Sequence, residues 1–132
     1  MKAKMVWGNF SVSDVKRTHE FYSQLGFASN DTNNYPKLAS FLFGDNKLVI
    51  HFFERGSQID AYLPAASESK SEVMFTLSAE TEEQVKEWAE KVRKAGGKIV
   101  SEPARDQQGY YGFVFADPDG HQFNVLLIEA GM

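Results

Sequence analysis

Val12-Ser13-Asp14-Val15-Lys16-Arg17-Thr18-His19-Glu20-Phe21-Tyr22-Ser23-Gln24-Leu25-Gly26-Phe27 packs a strand end, a helix cap, an apolar helical stripe and a helix stop into one short stretch. The side-chain oxygens of Ser13 and Asp14 can accept the orphan N–H groups of a first helical turn. Val15, Thr18, Phe21, Tyr22 and Leu25 recur at helical spacing, and Gly26 ends the helix where a left-handed residue is inexpensive. Upstream, Val6 to Val12 alternates and reads as a strand. Downstream, strands are expected around Phe27 to Asn30, Lys37 to Phe43 and Lys47 to Phe53. Gly44-Asp45-Asn46 supplies hairpin-turn chemistry between the last two. The first half therefore reads β-α-β-β-β.

Arg55 to Lys70 is polar and rich in small residues, so it reads as a linker in which Ile59, Tyr62 and Leu63 could dock as a short turn. The pattern then starts again. Val73 to Leu77 is an expected strand, and Thr81 to Gln84 matches a capping box, in which each side chain satisfies the other's backbone donor. Val85, Trp88, Ala89 and Val92 form the stripe of a second helix that Gly96-Gly97 stops, and its Glu/Lys pairs read as a solvated face. Strands follow near Lys98 to Ser101, Tyr110 to Ala116 and His121 to Ile128, with Asp117-Pro118-Asp119-Gly120 as the last hairpin turn. The expected organisation is one α+β domain, with module one at 1–56, a linker at 57–70 and module two at 71–132.

Composition narrows the function classes. The 132 residues carry 14 basic and 18 acidic side chains, net -4, with no run of Lys or Arg to follow a phosphate backbone. No nucleic-acid partner is expected. The chain contains no Cys, which excludes a disulfide scaffold, a cysteine nucleophile and thiolate ligands, and fits a reducing cytoplasm. No apolar run approaches the roughly 20 residues of a membrane span, so no membrane partner is expected either. Aromatic residues make up 14% of the chain, enough to ask whether some line a binding surface as well as the core.

The paired unit resembles the glyoxalase/bleomycin resistance protein/dioxygenase superfamily, the vicinal oxygen chelate proteins. Val12-Ser13-Asp14-Val15 with Phe21-Tyr22-Ser23-Gln24-Leu25-Gly26-Phe27 looks like the family's "VxDL…FYxxLGF" signature. Ala95-Gly96-Gly97-Lys98 and Phe115-Ala116-Asp117-Pro118-Asp119-Gly120-His121 look like its second-half marks. The resemblance covers nearly the whole chain except the linker. It implies two tandem βαβββ modules whose mixed sheets curve around a cleft, usually completed by a symmetric homodimer.

In metal-using members, four strand residues drawn from His, Glu and Gln hold a divalent ion that stabilises a substrate anion. By spacing, those positions fall on Trp7, His51, Met74 and Asn124. Only His51 is an ordinary ligand. Trp7 has no lone pair to give, Met74 offers a soft thioether, and Asn124 a neutral carbonyl. The usual metal site is therefore expected to be absent, leaving no cofactor. Leu48-Val49-Ile50-His51-Phe52-Phe53 also resembles the bleomycin-resistance branch, in which an acidic residue precedes two Phe and no metal is used; here His replaces the acid.

Counted by alternation from the four positions that the resemblance implies, Trp7, Asn9, His51, Phe53, Met74, Thr76, Gln122 and Asn124 are expected on the ligand-binding wall. Aromatic surface beside neutral hydrogen-bonders, without Arg or Lys, suits an uncharged or weakly charged organic molecule. His51 has two readings: a histidine held by one hydrogen bond at the wall, or a polar anchor and the best candidate for catalysis. Tyr110, Tyr111 and Phe113 fall near the mouth, with their facing open. His121 is expected at a turn edge, away from Asn124. The favoured function is a metal-independent small-molecule binding protein. The alternative is a glyoxalase-like lyase or isomerase, or a dioxygenase, using zinc, nickel, iron or manganese around His51.

Overall fold

The computed structural model describes residues 1–30, 36–63 and 73–129, and their contacts divide the chain into units Met1–Lys70 and Ser71–Met132. In the first unit β1 (Trp7–Val12) leads into α1 (Val15–Gln24). Asp14 caps that helix through Oδ1, which accepts the Arg17 N–H at 3.2 Å. Gly26 follows at φ 97, the left-handed backbone its position required. Three strands complete the unit: β2 (Ala28–Ser29), β3 (Leu38–Phe43) and β4 (Leu48–Glu54).

The sheet order is β1-β4-β3-β2, with β1 and β4 parallel and the other pairs antiparallel. One face packs under α1. There Phe21, Tyr22, Phe41 and Phe52 are fully buried, and the Tyr22 and Phe52 rings stack at 4.6 Å. Much of the aromatic content is thus core material. The expected linker begins with ordered chain: a 3-10 turn spans Gln58–Ala61, with Ile59 buried and Tyr62 standing in solvent. The rest of that linker, 64–70, lies outside the described residues.

The second unit repeats the plan with β5 (Phe75–Ala79), α2 (Glu82–Ala95), β6 (Lys98–Arg105), β7 (Tyr111–Ala116) and β8 (Gln122–Leu127). Its order is β5-β8-β7-β6, with β5 and β8 parallel and the remaining pairs antiparallel. Each unit is therefore a βαβββ module with a mixed sheet.

Two local expectations shift. Thr81 accepts the Gln84 N–H at 3.1 Å, but the Gln84 side chain reaches past Thr81 and accepts the Glu80 N–H at 2.8 Å. The fifth strand starts at Phe75 rather than Val73, because its ladder with β8 begins at the Phe75–Phe123 pair. Among the described residues, no helix is long and apolar enough to cross a membrane.

Candidate functional site

The β1–β4–β3 register sets the face of the first sheet that points away from α1. Trp7, Asn9 and Ser11 stand level with Val49, His51 and Phe53, which stand level in turn with Leu42, Ser40 and Leu38. None of these nine side chains is charged. Trp7 keeps 51% of its surface exposed at the start of the edge strand, and His51 sits half-buried at the centre between Asn9 and Ser40. Ser40 is buried, and its hydroxyl accepts a bond from the Asn30 amide at 3.3 Å. The His51 ring lies edge-on to Phe53 at 5.8 Å.

His51 is chemically unusual in this setting. Its Nδ1 is sealed from solvent and has no hydrogen-bond partner. Burial also pushes its pKa below the ordinary 6.5, because the charged imidazolium loses solvation. The neutral ring is the resident form at pH 7.

The second sheet presents Thr76 and Ser78 level with Asn124 and Leu126, flanked by Val114 and Gly112, while Gln122 pairs with Ala116. Met74 lies just before β5, outside the ladder, and is 47% exposed. Tyr111 and Phe113 point to the opposite, buried face, Phe113 level with Val125, so neither joins this surface. Tyr110 is exposed just before β7. Lys98 stands in register with Ala116 and brings an exposed cation to the edge of this face, where the sequence pattern shows none.

Residues from β3 and β7 were missed by alternation alone. Leu38, Ser40, Leu42 and Val114 belong to these faces through cross-strand register, and no local motif marks them. Arg55 was read as linker. Instead its N–H continues the ladder to the Val12 carbonyl at 2.9 Å, and its half-buried side chain has a sealed Nε without a partner. His121 is held at its turn, its Nδ1 2.8 Å from the Asp117 carboxylate.

Taken one by one, the positions that the resemblance assigns to metal ligands do not suit a hard divalent ion. Trp7 and Met74 supply no oxygen or imidazole nitrogen, and Asn124 supplies no charge. Among the described residues, no group of three or more His, Cys, Asp or Glu side chains stands close enough to hold a metal.

Solved structures repeat the fold. A hypothetical protein from S. aureus is 32% identical, aligns over 97% of this chain and 96% of its own, and superposes with TM-score 0.84. A glyoxalase/bleomycin resistance protein/dioxygenase family enzyme from Burkholderia phytofirmans PsJN is 21% identical, over 96% of this chain and 100% of its own, with TM-score 0.81. A genomically encoded fosfomycin resistance protein from Listeria monocytogenes is 19% identical, over 100% and 96%, with TM-score 0.72. At those lower identities, the last two speak for the fold alone. No curated protein matches the chain. The family model for the glyoxalase/bleomycin resistance protein/dioxygenase superfamily matches residues 4–125, and the chain belongs to that superfamily.

Proposed function

We propose that this chain is a small-molecule binding protein of its superfamily that works without the usual divalent metal. The observation that carries the reading is the surface around His51: an exposed indole, a Phe edge and neutral hydrogen-bonders, with no carboxylate among the nine side chains of that face. Apolar surface with a few placed polar groups is what a small organic ligand needs. The residues assigned to binding are Trp7, Asn9, His51 and Phe53 on the first sheet's face, and Met74, Thr76, Gln122 and Asn124 in the second module. A homodimer working in the cytoplasm completes the proposal, the latter because a Cys-free chain suits a reducing compartment.

The test is elemental analysis of protein purified without added chelator, together with mass spectrometry of compounds released on denaturation. The expected result is less than stoichiometric zinc, nickel, iron or manganese, and an organic compound that co-purifies. A stoichiometric metal that is lost in His51→Ala would overturn the reading in favour of metal-dependent chemistry.

A further inference from the structure

We propose that His51 serves as a neutral hydrogen-bond donor, its proton on Nε2, offered to an acceptor oxygen of a ring-bearing small molecule lying against Phe53 and Trp7. This rests on the small-molecule reading above and names the chemistry of the ligand.

The argument starts from the sealed nitrogen. Nδ1 has no partner, and the in-register neighbours Asn9 and Ser40 leave it unpaired. A proton on Nδ1 would be a buried donor without an acceptor. A bare Nδ1 leaves only an unfilled lone pair, whereas an orphaned buried N–H is the rarer defect in native backbones. In a neutral imidazole, one nitrogen bare means the other is protonated. His51 therefore carries Nε2–H on the less buried side of a half-buried ring.

The same arrangement opposes metal binding. A ligating histidine gives its other ring N–H to a carboxylate or carbonyl, which fixes the tautomer. Coordination through Nε2 would force the proton onto Nδ1, where nothing accepts it. The site thus selects a molecule that brings an acceptor, a ketone, aldehyde, amide or carboxylate oxygen, on an aromatic or otherwise flat body that suits Phe53 and the exposed Trp7.

The experiment uses the full chain and three probes of nearly equal shape: acetophenone, benzoate and cumene, the last lacking any acceptor. Imidazole nitrogen NMR near neutral pH is expected to find the His51 proton on Nε2. The Nε2 signal should move with acetophenone or benzoate, and not with cumene. In His51→Phe the affinity ratio of the better acceptor probe to cumene is expected to fall about tenfold, the order of one hydrogen bond. His51→Gln, which keeps an N–H donor, should retain much of that ratio.

A proton on Nδ1, displacement of the Nε2 proton by zinc ions, or a ratio unchanged in His51→Phe overturns the proposal while leaving small-molecule binding intact. Failure of all three probes to perturb the Trp7 indole removes both.

Discussion

The Glu54 carboxylate, at the end of β4, accepts the backbone N–H of Val15, the first residue of α1, at 2.9 Å. The two residues are 39 positions apart, so one bond ties the end of the strand that carries His51 to the helix behind it. A carboxylate at a helix N-terminus also opposes the positive end of the helix dipole. Glu54→Ala is expected to lower stability by about 1–2 kcal/mol, the range for losing a charged N-terminal acceptor. Glu54→Gln should recover part of it, because the amide oxygen still accepts. Urea denaturation of the three proteins checks the order.

Asp117 makes the second hairpin a fixed structure rather than a flexible turn. It is 3% exposed; its Oδ1 accepts the N–H groups of Asp119 and His121, each at 2.9 Å, and its Oδ2 lies 2.8 Å from His121 Nδ1. Removing this carboxylate takes the acceptor from two part-buried backbone N–H groups and the partner from the His121 ring at once. Asp117→Ala is expected to cost about 2–3 kcal/mol. Asp117→Asn should cost less, since its amide oxygen can keep both backbone bonds. Thermal unfolding distinguishes the variants.

Much of this architecture was legible because its signals are local. The Asp14 cap, Gly26, the Thr81 cap and the Asp117 turn each act within a few residues, and each falls where expected. What local signals could not carry is register and long-range pairing. β6 runs to Arg105, beyond the expected Ser101, although Glu102-Pro103-Ala104-Arg105 has no strand pattern. It is an edge strand with irregular register, where a Pro is tolerated. Exposed ion pairs of Arg93 with Glu102 and of Arg105 with Glu129 join it to residues distant in sequence. The same limit hid Arg55 and the β3 contribution to the His51 face. The family resemblance brought Trp7 and His51 to one face and the period-two pattern added Asn9, but the orphaned Nδ1 depends on packing that no spacing encodes.

Gly112 tests the second sheet. A Cβ added there would lie 2.3 Å from the Val125 carbonyl oxygen, backbone of the neighbouring strand, and 3.3 Å from Leu126 Cα. Neither atom can swing aside as a side chain would, because the β7–β8 ladder holds both. Gly112→Ala is expected to destabilise by about 3 kcal/mol, at the upper end for overpacking. A shift in the urea midpoint with an unchanged slope would show that the fold survives with a weakened sheet.

His51 makes stability depend on pH in a direction fixed by its lowered pKa. In the unfolded chain the ring protonates near its ordinary 6.5, whereas in the folded chain burial delays protonation to lower pH. Between those two values the unfolded state holds more protons. Stability therefore rises with pH through that window, is complete above about 6.5, and falls as pH drops below that value until the folded ring is protonated as well. His51→Gln removes the titrating group and keeps a polar side chain of similar reach. Urea midpoints measured from pH 5 to 8 should rise for the parent protein, and the part of that rise due to His51 should vanish in the variant. Identical pH profiles for the two proteins would mean that the ring is as well solvated as in the unfolded chain, and the neutral-donor role would lose its electrostatic support.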